Sequence, residues 1–236
     1  MRIIDPNEFR SCKSSDTIYI LGSGSSINAI SPSQWDAIGS ADSIAFNWFC
    51  KHDSFEPRFY IVREQANIPK RISRDETPEI LFKRLNRYSE CCFIVHDVSN
   101  HSPHAYPYNA NLDRIEGKGV VVHDRQKGSF EDDIFKQGVY HGAITLNNVL
   151  HIVQYLGYKK VVFAGIDLNN SKYFWLDDSP RHTIVKKGIK VLDRHPVSKK
   201  TIEAVRKFDE RNPSIKVVSA SKSSLLNKVI PYEQIR

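Results

Sequence analysis

Apolar residues fall along this chain in short runs, with stretches of helical spacing between them. "TIYILGSG" (17–24) is a β-branched and aromatic run that halts at Gly22, the pattern of a buried strand leaving through a glycine turn. "SPSQWDAIGS" follows as a short helix, with Ser31 as its cap and Pro32 at the first helical position. "SIAFNWF" (43–49) and "RFYIVRE" (58–64) predict the second and third strands. In "TPEILFKRLNRYS" (77–89), Ile80, Leu81, Leu85 and Tyr88 recur at helical spacing behind Thr77 and Pro78. "ECCFIVHD" (90–97) predicts the next strand. Residues 98–132 carry His, Tyr, Pro, Asn and Gly without sustained periodicity, so an irregular insertion is expected there.

Order returns in "GAITLNNVLHIVQYLGYKK" (142–160), where Ile144, Val149, Ile152, Val153 and Leu156 mark one helix face and Gly157 stops it. "KVVFAGIDLN" (160–169) is continuously apolar, the style of a parallel strand covered on both faces. A polar segment, 169–197, separates it from a long helix (197–212) with Ile202, Val205 and Phe208 on one side. "IKVVSASKSS" supplies a final strand, and "SLLNKVIPYEQI" a short terminal helix. Strands alternating with helices predict an α/β fold: one Rossmann-like domain over 1–236 with a doubly wound, mainly parallel sheet.

Composition narrows the class. With 40% hydrophobic and 26% charged residues in 236, the chain is globular and long enough to bury a core without staples. Its longest apolar runs, "VVFAGI" and "CCFIV", are too short to span a bilayer. The start "MRIIDPNEFR" lacks the apolar region of a signal peptide, and a cytoplasmic protein is expected. Cys12, Cys50, Cys91 and Cys92 show no CxxC spacing, which fits a reduced compartment and argues against structural zinc. A net charge of +7 suits an anionic partner: a nucleotide, a nucleic acid or an anionic membrane surface. The densest basic run (181–200) interleaves Ile, Val and Leu rather than aromatic platforms, so no nucleic acid is expected.

Candidate chemistry concentrates at the strand ends, because ligands of such sheets bind where the strands' carboxyl ends open. The turn Gly22, Ser23, Gly24, Ser25 and Ser26 can turn backbone N–H groups toward a phosphate, or can simply be tight. Ile27 stands where a dinucleotide fingerprint has its third glycine, and no Walker lysine follows. In "AGID", Gly165 admits close approach, while Asp167 either accepts hydrogen bonds from a ribose or base or caps the next turn. Asn47 in "FNWF" has the same two readings, a sugar or base contact or a local turn. His96, His101 and His104 match no metal-ligand spacing, and no metal site is expected.

Taken in order, "ILGSGSSINAIS", "FNWF", "LGYKKVVFAGIDL", the "RH" before the long helix and "VVSASKSSLLNKVIP" resemble the bacterial sialyltransferases of lipooligosaccharide synthesis. The resemblance implies a single GT-A-like domain with a lid at 169–197. It further implies inverting transfer of a CMP-activated acidic sugar, of sialic or Kdo type, to a surface glycan or glycolipid such as lipopolysaccharide or capsule. By position it implies that Gly22–Ser26 line the donor phosphate and sugar and that Asn47 touches the donor. Gly165, Ile166 and Asp167 would hold the cytidine, and Thr145 would contact the donor carboxylate. His195 would be the general base, with Tyr173 and the Asn169 position at the leaving group. Gly142 and Ile144 stand where the family has Arg and Thr, so sugar recognition is expected to differ. The donor brings its own phosphate, so no cofactor is essential and Mg²⁺ is at most an aid.

The chemistry fits those residue types. A departing phosphate needs a phenol or cation, for which Tyr173, Arg181 and Lys186 are available, and the acceptor hydroxyl needs a base titrating near neutrality. His195 in "DRHPVS", with Asp193 nearby, is one choice and His182 another. The basic surface would suit peripheral contact with an anionic inner membrane face, and a homo-oligomer is left open. Two other classes stay in view: a pterin diphosphokinase-like nucleotide enzyme sharing the glycine turn, and a non-catalytic module binding nucleic acid or an acidic polymer.

Overall fold

Residues 1–63, 76–97, 108–142, 144–169, 173–175, 184–186, 189–191 and 198–236 are described by the computed structural model. His195, Arg181, His182 and Asp193 lie outside them. The strands are β1 (Arg2–Ile3), β2 (Thr17–Leu21), β3 (Asp42–Phe46), β4 (Phe59–Val62), β5 (Cys92–Asp97), β6 (Lys118–Arg125), β7 (Val139–Tyr140), β8 (Lys160–Ala164), β9 (Ile184–Lys186), β10 (Ile189–Val191) and β11 (Lys216–Ser219). The helices are α1 (Pro6–Ser11), α2 (Pro32–Gly39), α3 (Glu76–Leu85), α4 (Thr145–Tyr155) and α5 (Ser198–Arg211).

Nine strands form one sheet in the order β1-β6-β5-β4-β3-β2-β8-β11, with β7 beside β6, and the pairings are parallel. β9 and β10 form a separate antiparallel pair within the segment expected to be a lid. The doubly wound α/β class is therefore present. Successive strands run outward from β2 through β3, β4 and β5, and then the chain returns to lay β8 on the other side of β2. The strand order thus reverses between β2 and β8, and their carboxyl ends form the switch point at which such sheets bind ligands.

Both sheet faces are buried, which is why the strands read as unbroken apolar runs. Along β2, Ile18 and Ile20 enter one core and Tyr19 and Leu21 the other. The first core takes Val149, Leu150, Ile152 and Val153 of α4 and Val205 and Phe208 of α5. Each such side chain contributes roughly 1.5–3 kcal/mol of burial. The second core takes Leu81, Phe82 and Leu85 of α3. α2 begins as the sequence predicts: the Ser31 side chain accepts from Gln34 N while Gln34 bonds back to Ser31 N, with Pro32 in the first turn.

Several boundaries differ from the expectation. β6 lies inside the stretch expected to be irregular and fits between β1 and β5, so the insertion is not structureless. Its strand character comes from pairing on both sides, with Gly117 at φ +97° and charged residues at its ends hiding the apolar run. β3 stops at Phe46 because Asn47 takes φ +54°, and β8 stops at Ala164 because Gly165 takes φ +71°. The terminal segment is a single 3₁₀ turn, Leu225–Lys228, rather than a helix. All four cysteines are free and buried. Among the described residues, no helix is long and apolar enough to cross a membrane.

Candidate functional site

At the switch point the turns after β2 and β8 pack directly on one another. Gly22 N donates to Ala164 O at 2.8 Å, and Gly24 N donates to Gly165 O at 2.8 Å. A Cβ on Gly22 would stand 2.4 Å from Gly165 O, and one on Gly24 2.5 Å from Asp167 Oδ2. The glycines are thus required by backbone approaching backbone. Asp167 completes the joint: its Oδ2 accepts from Ser26 N at 2.9 Å, and its Oδ1 accepts from the Ser26 hydroxyl. With both oxygens on Ser26, the Asp167 carboxylate serves the turn, the plainer of its two sequence readings. The two turns are in direct contact and leave no space for a ligand between them.

This predicts a test. Gly22→Ala forces a methyl group into Gly165 O and is expected to lose about 2–3 kcal/mol of stability by urea unfolding. Gly39→Ala, whose Cβ meets nothing nearer than Phe55 Cε2 at 3.9 Å, is the control and should be neutral or slightly stabilising. Equal midpoints for the two variants would contradict the close-packing account.

Around the rim several polar atoms are left over. Among the described residues, the Ser23 hydroxyl and Asn169 Oδ1 are buried without a hydrogen-bond partner, although Asn169 Nδ2 donates to Ser223 O at 2.8 Å. Buried polar atoms are almost always paired in folded proteins, so unpaired ones at a strand-end crevice call for a ligand or water. Two non-glycine residues adopt the left-handed region among those described, Asn47 (φ +54°) and Leu168 (φ +60°), and they follow the strands flanking β2. Strained backbone of this kind clusters at functional sites. At Asn47 it turns the carbonyl to accept from the buried Tyr60 hydroxyl, and the Asn47 side chain is half-buried.

Tyr173 joins this rim through a bridge pairing it with Gly24, while Phe174 N donates to Ser23 O at 3.1 Å. The Tyr173 ring stacks on Trp175 at 5.6 Å, and burial raises its phenol pKa. Gly22, Ser23, Gly24, Ser25, Ser26, Gly165, Ile166, Asp167 and Tyr173 are therefore brought together, with Asn169 following in the same turn. Thr145 is half-buried at the first position of α4, in the turn where the helix dipole favours an anion. Lys186 falls on β9. His195 remains outside the described residues.

The sequence reading did not anticipate a second polar cluster, at the carboxyl ends of β4, β5 and β6. Arg63 Nε and Nη2 each lie 2.8 Å from Asp124 Oδ2, and His96 Nδ1 lies 2.5 Å from Asp124 Oδ1. Asn148 Nδ2 reaches Asp124 Oδ1 at 3.4 Å and Tyr140 O at 3.1 Å, while Asn148 Oδ1 contacts His141 Nδ1 at 3.0 Å. An amide oxygen only accepts, so His141 carries its proton on Nδ1. Burial pushes the Asp124 carboxyl up, but the His96 hydrogen bond and charge, with the Arg63 guanidinium, outweigh it and hold the pKa at about 2. Burial, helped by the Arg63 charge, drives His141 down to about 4. The signal was present in the sequence: the dipeptide His-Asp ends the apolar runs of both β5 and β6. Parallel pairing crosses the two copies, so that His123 Nδ1 also meets Asp97 Oδ2 at 3.0 Å. Among the described residues, no group of three His, Cys, Asp or Glu side chains has metal-holding geometry.

No family model matches the chain, and no curated protein matches its sequence. Among solved structures it is similar to the monofunctional alpha-2,3-sialyltransferase Cst-I from Campylobacter jejuni, at 12% identity and a TM-score of 0.52. The alignment covers 98% of this chain and 82% of that one. At that identity the likeness is one of fold, a mainly parallel α/β sheet flanked by helices.

Proposed function

We propose that this protein is a glycosyltransferase moving a CMP-activated acidic sugar, of sialic or Kdo type, onto a surface glycan or glycolipid. The observation that carries the reading is the switch point between β2 and β8, where the Ser23 hydroxyl and Asn169 Oδ1 are buried and have no hydrogen-bond partner among the described residues. The likeness in fold to a sialyltransferase along nearly the whole chain supports the same reading, as does the resemblance of the strand-end motifs to that family, which implies a cytidine nucleotide.

In this mechanism the acceptor oxygen forms its bond to the sugar's anomeric carbon as the bond from that carbon to the phosphate oxygen breaks. The electron pair leaves with CMP, and the acceptor proton passes to His195. Tyr173, whose phenol burial keeps protonated, donates a hydrogen bond to the phosphate as it departs. Ser23, Asn47 and Asn169 orient the donor, and Thr145 with the N-terminus of α4 receives its carboxylate. Metal is not required by this scheme, because the transferred bond carries a phosphate monoester as its leaving group.

The test is a thermal-shift panel of CMP, CDP, UDP, GDP, ATP and NAD, followed by turnover of CMP-Neu5Ac and CMP-Kdo. Selective stabilisation by CMP is expected, with His195→Ala keeping that shift and losing transfer. Stabilisation by ATP with Mg²⁺ and none by CMP would replace this reading with a diphosphokinase-like one. Steeply salt-dependent nucleic-acid binding without nucleotide preference would replace it with a binding module.

A further inference from the structure

Beside the nucleotide rim lies a cavity of about 400 Å³, lined by Lys51, His52, Asp53, Arg84, Phe174 and Trp175. That volume falls within the range of small-ligand sites. Its aromatic wall is fixed to the turn after β2, because Phe174 N donates to Ser23 O at 3.1 Å and Phe174 O accepts from Asn28 Nδ2 at 3.0 Å. Trp175 sits between Tyr173 (5.6 Å) and Trp48 (5.7 Å). The Lys51 ammonium lies 4.7 Å from the Trp175 ring centre and 5.6 Å from that of Trp48.

Charge and unpaired groups define what the cavity takes. Lys51 has no carboxylate partner among the described residues, whereas Asp53 is engaged by both Arg84 and Arg87. The lining therefore holds two cations, Lys51 and Arg84, against the single carboxylate. In two of the lining residues a ring nitrogen, Trp175 Nε1 and His52 Nδ1, is buried without a hydrogen-bond partner among the described residues. An indole N–H only donates, so it requires an oxygen acceptor. Burial lowers the His52 pKa, which favours the neutral ring and leaves Lys51 and Arg84 to supply the positive charge of the lining. An aromatic wall and an ammonium without a carboxylate partner among the described residues together fit a hydroxylated ring bearing a carboxylate or phosphate.

We propose that this cavity binds an anionic sugar unit of the acceptor glycan, with the wall of Phe174 and Trp175 against the sugar ring and Lys51 receiving its charge. The proposal rests on the sugar-transfer reading above and names the acceptor class for it. Adjacency to Ser23 and Tyr173 sets this sugar beside the donor rim, so that a hydroxyl of the same glycan can reach the donor's anomeric carbon.

The experiment titrates the full chain with matched pairs, glucuronate against glucose and galactose 6-phosphate against galactose, followed by tryptophan emission. Saturable quenching in the millimolar range is expected for at least one acidic sugar, with its neutral partner at least ten-fold weaker. Lys51→Ala is expected to weaken the acidic sugar ten-fold or more, Lys51→Arg to restore it, and Trp175→Phe to weaken both members of the pair. The CMP-induced thermal shift, measured alongside, should be unchanged in Lys51→Ala, which also certifies its fold. Equal binding of the pair, wild-type affinity in Lys51→Ala, or no saturation by either acidic sugar would overturn the proposal even when CMP binds. Acidic-sugar binding that depends on Lys51 in a protein that ignores CMP would instead remove the donor assignment and leave the cavity as an acidic-sugar site.

Discussion

Asp124→Ala is expected to cost about 3–5 kcal/mol in urea unfolding, the range for breaking a buried ion pair by removing one partner. The side chains of Arg63 and Asp124 are 9% and 0% exposed, so the guanidinium would lose its 2.8 Å carboxylate contacts where water cannot replace them. His96 would lose the acceptor at 2.5 Å that fixes its ring, and Asn148 one of its two acceptors. Asp124→Asn keeps the shape but not the charge and should fall between wild type and alanine. A loss below about 1 kcal/mol for alanine, the scale of an exposed pair, would show that the cluster is solvated and that its burial has been misjudged.

Acidification should destabilise the protein well before its carboxylates protonate. His141 is 8% exposed and burial holds its pKa at about 4, while an unfolded histidine titrates near 6.5. Between those values the unfolded chain binds a proton that the folded chain refuses, so stability falls as pH falls through that window. The full difference corresponds to about 3 kcal/mol at roughly 1.4 kcal/mol per pH unit. His151, also lowered by burial, adds in the same direction. Asp124 acts in a lower window: its folded pKa of about 2 gives stability that is present above the ordinary aspartate value and lost only below it. His141→Gln should therefore flatten the stability profile between pH 6.5 and 4 relative to wild type and leave the steeper loss below pH 4 in place. Urea midpoints at pH 7, 5.5, 4 and 3 measure both slopes, and parallel profiles for the two proteins between pH 7 and 4 would contradict a neutral buried His141.

The local elements were readable because each rests on chemistry within a few residues. Ser31, Pro32 and Gln34 make a capping box among themselves, so the start of α2 needs no tertiary contact. The apolar run of β8 announces burial on both faces, and its glycine announces where it ends. β6 was not readable in this way. Its place between β1 and β5 depends on pairing with residues more than twenty positions away, and its own ends carry Lys118, Asp124 and Arg125. The 3₁₀ turn at Leu225–Lys228 kept the predicted position but not the predicted length.

The candidate site divides along the same line. From the sequence alone came the strand–glycine turn, the second glycine strand end, and the expectation that both meet at the carboxyl edge of a parallel sheet. These follow from covalent geometry and solvation, since Gly is the residue that allows backbone to approach this closely and continuous apolar runs demand two covered faces. Only the tertiary structure decided what the glycines approach, namely each other's turns, and that Asp167 is engaged by Ser26. It alone assembled Arg63, His96 and Asp124 from three strands and set Lys51 against Trp175. Partners so distant along the chain leave no periodic trace, because sequence records each side chain's character, whereas desolvation and charge pairing depend on the neighbours that folding supplies.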